Sequence, residues 1–338
     1  TATPGASGRR CRGSGTRVAG VPPVRIDRLT LGDRFNSSVK SVRWPERLRE
    51  ITFGKQFNMS LRGVRWPVTL THVRFGCHFN QPLTKVTWPV GLQSITFGCS
   101  FDQSLSGVEL PAALQMLVLG GAFNQPLGGV NFPNGLQTIV LSGDFDQPLA
   151  GVKWPAGLLQ LALGTEFNHP VDDVTWPEGL RRIRFSDKFD RSIESVAFPS
   201  SLRYLQFGCK FNKTLERTQL PQELAILVFC CGWNQSLVHI DFPQALRILR
   251  LGDGFDQPLD EVQFPHGLAA ISLGDSFDQP LVDVSWPPNL KALFLGESFD
   301  HPLDSVEWPA GLEFLFLGSS FAEDLDFAWP KNLNVMHI

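Results

Sequence analysis

Three sets of side chains in this chain could do chemistry, and each recurs at an interval of 22 residues. One is a column of Asn and Asp that runs from Asn36 through Asn80, Asp102 and Asp190 to Asp256, Asp278 and Asp300. Beside its last members stand Asp253, Asp275 and Glu297, in G-D-G-F-D, G-D-S-F-D and G-E-S-F-D. The third set is cysteine: Cys77 and Cys99 are one interval apart, as are Cys209 and Cys231, while Cys11 and Cys230 have no cysteine one interval away. Oxygen-rich acidic sites suit calcium, and clustered thiols suit a disulfide or a soft metal ion.

Each set also has a plain structural meaning. An Asn column at a fixed interval reads as a hydrogen-bond ladder to backbone groups, a role in which Asp can accept but not donate. Three consecutive aspartates would stack near 5 Å, where like charges repel unless backbone N–H groups, a cation or solvent compensate. Neither an EF-hand loop nor a glycine-rich nonapeptide repeat is present, so Asp253, Asp275 and Glu297 read as a solvated acidic edge, with no metal ligands. Cysteines one interval apart would sit about 4.8 Å apart on neighbouring strands. Stacked side chains point in parallel, however, and a disulfide needs the Cβ vectors turned towards each other. Free thiols are therefore expected, and with them a cytoplasmic setting. The seven histidines are scattered over six columns, only His169 and His301 sharing one and those two six intervals apart, and no nucleotide-binding or nucleophile-elbow motif occurs. The expectation is no catalytic residue, no cofactor and no enzyme activity.

What must position these columns is the repeat itself. The pattern V-x-(W/F/L)-P-x-x-L-x-x-(I/L)-x-(F/L)-G-x-x-F-(N/D)-Q-P-L recurs without insertion from Trp44 to Trp308, and the last Trp-Pro step, at Trp329, comes one residue early. In the unit starting at Val86, the apolar positions are Val86, Trp88, Leu92, Ile95, Phe97, Phe101 and Leu105. Val86/Trp88 and Ile95/Phe97 alternate with polar neighbours at period two, which predicts two short strands per coil and little or no helix. A single unit cannot bury its apolar face alone, so the units must stack. The predicted architecture is an all-β solenoid of about fourteen coils over residues 23–338, preceded by a flexible basic segment over 1–22. The Trp-Pro column should be buried in every unit, its aromatics serving as core: the chain has 27 Phe and 9 Trp but a single Tyr, Tyr204.

The L-x-x-(I/L)-x-(F/L) segment followed by the F-(N/D) step resembles a leucine-rich repeat, and the whole unit resembles the FNIP repeat family. The family's F-N-x-P core stands here as Phe79-Asn80-Gln81-Pro82, Phe123-Asn124-Gln125-Pro126 and Phe167-Asn168-His169-Pro170, with Asp replacing Asn in Phe145-Asp146-Gln147-Pro148, Phe255-Asp256-Gln257-Pro258 and Phe277-Asp278-Gln279-Pro280. The resemblance implies a leucine-rich-repeat-like solenoid that serves as an interaction segment. In this family such arrays are often joined to F-box or kinase domains, neither of which is visible in the sequence.

Two surfaces follow from this arrangement. The outward positions flanking the Ile/Leu column set aromatic and branched side chains among arginines: Arg182, Arg184, Tyr204, Ile226, Val228, Ile248, Arg250, Phe294, Phe314 and Phe316. That is the composition of a protein-binding hot spot. The second surface is the pair of ends. Residues 1–85 carry 16 Lys and Arg against 4 Asp and Glu, whereas residues 239–338 carry 4 against 16. In an extended solenoid such ends stay beyond a Debye length of about 8 Å. They would favour weak head-to-tail self-association, a structural role that is the alternative to a protein-binding scaffold. A nucleic-acid partner ranks below both, and no apolar stretch is long enough to span a membrane. At the C-terminal end Leu333, Met336 and Ile338 are expected to take the Leu, Ile/Leu and Phe/Leu columns, after a unit weakened by Glu323 and Asp324.

Overall fold

The computed structural model describes residues 26–322, Trp329 and residues 333–337; the expectations for 1–22, Glu323, Asp324 and Ile338 lie outside them. The strands are β1 (Arg28–Thr30), β2 (Glu50–Thr52), β3 (His72–Arg74), β4 (Ser94–Thr96), β5 (Met116–Leu119), β6 (Thr138–Leu141), β7 (Gln160–Ala162) and β8 (Arg182–Arg184). They continue as β9 (Tyr204–Gln206), β10 (Ile226–Val228), β11 (Ile248–Arg250), β12 (Ala270–Ser272), β13 (Ala292–Phe294), β14 (Phe314–Leu317) and β15 (Asn334–His337). All pair in parallel in sequence order, forming one 15-stranded sheet, and no helix occurs among the described residues.

Each coil turns three corners, and the repeated residues close them. In the coil after β3, the N–H of Phe79 reaches the carbonyl of Gly76, that of Val86 reaches Leu83, and that of Leu92 reaches Pro89, at 3.1–3.3 Å. Each is the bond of a β-turn between residues three apart. The glycine of the first corner is set by close approach. A Cβ on Gly76 would lie 2.1 Å from the carbonyl oxygen of Gly54, the same glycine one coil earlier. Glycine at most places of this column lets the backbones approach that closely.

The corners explain why one strand forms per coil where two were expected. The segment from Val86 to Pro89 is only the short bridge between two turns, and it forms no ladder. In three units the residue at the Trp position turns its N–H back to the carbonyl two residues earlier, as Phe198 does to Val196, Phe242 to Ile240 and Trp286 to Val284. Period-two alternation there reflects an inward Val and aromatic pair, without strand pairing.

The interior is filled by stacked columns. The Phe column from Phe57 to Phe321 is buried throughout, with neighbouring rings parallel and about 6 Å apart, as for Phe57–Phe79 (6.0 Å) and Phe79–Phe101 (6.1 Å). Trp233 takes one Phe place, fully buried, and its indole Nε1 donates to the Lys213 carbonyl at 3.0 Å. The Trp-Pro column is less deep than expected. Trp88, Trp176, Leu220 and Phe242 are buried, but the remaining members from Trp44 to Trp308 are half-buried, because the column stands at the proline corner, where the outer ring edge meets solvent.

The register shifts at the C-terminal end. β14 and β15 pair with Leu315 opposite Val335 and Phe316 opposite Met336. Val335, not Met336, therefore takes the Ile/Leu column, and Met336 points outwards. The interval has shortened from 22 to 20 residues, and alternation sends a residue moved by one place to the other face.

Candidate functional site

The Asn/Asp column sits just after the first corner and forms an acceptor ladder along the solenoid. Asn80 Oδ1 accepts the backbone N–H of Asp102 at 3.0 Å and Nε2 of Gln103 at 2.9 Å. Asp102 Oδ1 does the same for Asn124 and Gln125, at 2.9 Å each. Because the ladder uses the side chain only as an acceptor, Asp substitutes for Asn without loss. The compensation required for Asp256, Asp278 and Asp300 is supplied by backbone N–H groups. Asp253 and Asp275 are exposed, and each gives its backbone carbonyl to the next coil. Among the described residues, their carboxylates do not converge with a third ligand into a metal-sized cluster.

The outward strand positions are where alternation places them. In β8 through β13 the central residue is buried and its two neighbours are half-buried or exposed. The ten candidate residues fall into linked groups. Arg182 stacks its guanidinium 4.4 Å over the Tyr204 ring, and Tyr204 Oη donates to Gln206 Oε1 at 2.7 Å. Arg184 stands exposed on the same strand as Arg182. Ile226 and Val228 pair with Ile248 and Arg250 on the adjacent strand. Phe294 and Phe316 stack at 4.1 Å, with Phe314 beside Phe316 at 6.4 Å.

Between these groups lies a notch. Its floor is Ala270 and Ser272 of β12, and its walls are Ile248 and Arg250 on one side and Phe294 on the other. Small side chains on one strand between bulky ones on its neighbours leave an apolar recess with a guanidinium at its rim. Ala270 and Ser272 were legible as small outward residues, but their meaning depends on what flanks them across the sheet.

The thiols depart from expectation. Cys77 and Cys99 are free, as expected, and their sulfur atoms are hydrogen-bonded at 2.9 Å. That bond holds the Cys77 thiol below its ordinary range and pushes Cys99 up. Cys209, however, is bonded to Cys230, with Cα atoms 4.6 Å apart, while Cys231 is free. The interval pairs Cys209 with Cys231, but those two side chains stack in parallel. Cys230 replaces the corner glycine of its coil, and that replacement was the signal in the sequence. Among the described residues, Cys209, Cys230 and Cys231 are the group whose ligand atoms converge, all within 4.8 Å of one another.

Comparison with known proteins places this geometry. The FNIP repeat model matches residues 79–122, 123–164, 167–210, 233–276 and 277–320, more than half of the chain. Among solved structures, the chain is similar to CroV588, described as a novel circular leucine-rich-repeat protein, with 28% identity and a TM-score of 0.76. That match covers 91% of this chain and 49% of CroV588, so the chain spans about half the length of that protein. An internalin of Listeria monocytogenes shares the fold at 15% identity and a TM-score of 0.53, over 92% of this chain and 86% of its own. A search of the curated proteins finds no match. A leucine-rich-repeat-like solenoid with an unbroken FNIP register and matching family segments from residue 79 to residue 320 leads to one conclusion: the chain belongs to the FNIP repeat family.

Proposed function

We propose that this solenoid is a protein-binding scaffold that recognises its partner on the outward strand face and has no catalysis of its own. The observation that carries this reading is the notch over Ala270 and Ser272, walled by Ile248, Arg250 and Phe294. A recess of that kind takes an apolar anchor side chain, and Arg250, with Arg182 and Arg184 further along the face, favours acidic groups beside the anchor. Repeat solenoids generally work through such extended surfaces. Among the described residues no helix is long and apolar enough to cross a membrane. The cytoplasmic setting is part of this proposal: the free thiols of Cys77, Cys99 and Cys231 favour it, and the Cys209–Cys230 disulfide requires that this one pair be reducible there.

Selection of displayed random peptides on the immobilised chain tests the proposal. Peptides with an apolar anchor next to Asp or Glu should emerge, and Ala270→Arg, which fills the notch, should abolish their binding. Val68→Arg, at an exposed position away from the face, should leave it intact. A combined Tyr204→Ala, Ile226→Ala and Phe294→Ala variant should keep the parent's melting behaviour and lose the peptides. Equal binding by Ala270→Arg would overturn the assignment.

A second reading is head-to-tail assembly, favoured by the basic N-terminal and acidic C-terminal ends of the chain and by its likeness to about half the length of a circular leucine-rich-repeat protein. Attraction between opposite charges falls as salt rises. Sedimentation should therefore show association at about 50 mM salt that is lost by about 500 mM. A monomer at both, at high protein concentration, would remove this reading.

A further inference from the structure

We propose that the reduced cluster of Cys209, Cys230 and Cys231 is a three-thiolate site for a soft d10 cation, copper(I), and that the Cys209–Cys230 disulfide is its closed state. The argument starts at the corner glycine. A Cβ at Gly208 would meet the Ser186 carbonyl oxygen at 2.0 Å, and one at Gly252 would meet the Cys230 carbonyl oxygen at 1.6 Å. Side chains are excluded from most of this column, yet Ser142, Ser186 and Cys230 carry them. Ser186 is buried and donates its hydroxyl to the Phe167 carbonyl. Cys230 is half-buried and meets Cys209 of the preceding coil.

Cys231 adds the third sulfur, 3.9 Å from that of Cys230. A trigonal thiolate site with metal–sulfur bonds of about 2.3 Å has its sulfurs about 4 Å apart. The cluster, with all three sulfurs within 4.8 Å, is therefore close to binding size. The backbone that carries it is pinned from below, since Phe229 and Trp233 on either side of the cysteine pair are buried and stacked at 4.0 Å. Sites held by rigid neighbours bind with a smaller ordering cost.

The donor set selects the ion. Three thiolates without a histidine or carboxylate in the group are soft ligands, which exclude calcium and magnesium and favour copper(I). A structural zinc site would need a fourth ligand, and the cluster contains none. In the closed state the disulfide removes two of the three donors. A dithiol reductant opens it by exchange: the S–S bond breaks, each sulfur leaves as a thiol, and the reductant is oxidised to its own disulfide. Copper(I) then displaces three thiol protons and leaves a complex of net charge −2. Arg250 lines the same depression as Cys230 and Cys231 and offsets part of that charge, with Asp253 and Asp275 also facing it.

The test uses the full chain carrying Cys11→Ser, Cys77→Ser and Cys99→Ser, so that the remaining thiols are the three in question. The phosphine-reduced protein is titrated anaerobically with copper(I) against bicinchoninate. One copper per chain should bind, with three sulfur neighbours in the X-ray absorption spectrum. Cys230→Gly restores the residue that this column normally holds and so preserves the fold. That change, and separately Cys231→Ser, should weaken binding by roughly tenfold or more and leave two sulfur neighbours. The disulfide form should bind no copper until it is reduced. Unchanged affinity in Cys230→Gly, a two-sulfur spectrum in the parent, or equal binding by the disulfide form would each overturn the proposal.

Discussion

Asp256 presents its carboxylate Oδ1 to the backbone N–H of Asp278 at 3.0 Å, so two stacked acids are joined by a hydrogen bond at the place where their charges were expected to repel. Gln279 donates to the same oxygen at 2.8 Å. The arrangement needs an acceptor and nothing else, which is why either Asn or Asp occupies the column.

Asp256→Asn should therefore change stability by less than about 0.5 kcal/mol, since the amide oxygen takes over both bonds. Asp256→Ala should cost about 1–3 kcal/mol, because the N–H of Asp278 and the amide of Gln279 lose their acceptor. Chemical denaturation of the three proteins side by side checks this. A large loss in Asp256→Asn would show that the carboxylate charge itself matters.

The Trp-Pro column carries an unused polar group. The Nε1 atoms of Trp44, Trp66, Trp88, Trp154, Trp176, Trp286 and Trp308 are buried and find no hydrogen-bond partner among the described residues. The column is thus valued for ring area, and Phe132, Phe198, Phe242 and Phe264 fill it without an N–H. Trp176→Phe should stay within about 1 kcal/mol of the parent, since the smaller ring also removes an unsatisfied donor. Trp176→Ala should cost about 3–5 kcal/mol by opening a cavity between stacked coils. Thermal and urea melts of both variants decide the point; equal losses would show that the indole N–H is satisfied.

How far the fold was legible follows from these columns. The interval, the inward Phe and Leu positions and the outward strand face were all readable, because each depends on one residue and its copy one coil away. The second strand was misread because alternation at Val86 and Trp88 reports which way side chains point, whereas a strand also needs backbone groups free to pair, and here the corners consume them. The C-terminal register was misread by one place because a shortened coil breaks the interval on which the columns were counted. Cys230 was harder still: its pairing follows from leaving the glycine column, which only the closeness of successive backbones makes significant. The notch shows the same limit, since Ala270 and Ser272 matter only through Ile248, Arg250 and Phe294 across the sheet.

A turn position offers room for stabilisation. Gly63, Gly107, Gly129 and Gly151 occupy the third place of the second corner with φ between 71° and 79°, while Lys85 and His239 hold the same place at 63° and 67°. Side-chain-bearing residues reach that region at a cost of about 1–2 kcal/mol, partly offset by the greater freedom glycine has when unfolded. Lys85→Gly and His239→Gly should each stabilise the protein, by up to about 1 kcal/mol. Destabilisation by both would mean that these side chains make contacts worth more than the backbone strain.

The last coils should respond to acid through Glu297. Its carboxylate accepts from the hydroxyl of Ser319 and from the backbone N–H of Ser319 at 3.0 Å, one coil on. The side-chain bond first, and the backbone bond second, hold it below its ordinary value of 4.5. A carboxylate depressed in the folded state contributes stability that is fully present above its unfolded value and is lost as the pH falls through the folded one. The contact between these two coils should therefore loosen only below the ordinary carboxylate range, and hydrogen exchange at the Ser319 amide should accelerate there beyond its intrinsic pH dependence. Ser319→Ala removes the larger cause, so the Glu297 titration, followed by carboxyl chemical shifts, should move back up towards the ordinary value. An identical titration in the parent and in Ser319→Ala would show that the hydroxyl does not hold the carboxylate, and that the coil is closed by backbone bonds alone.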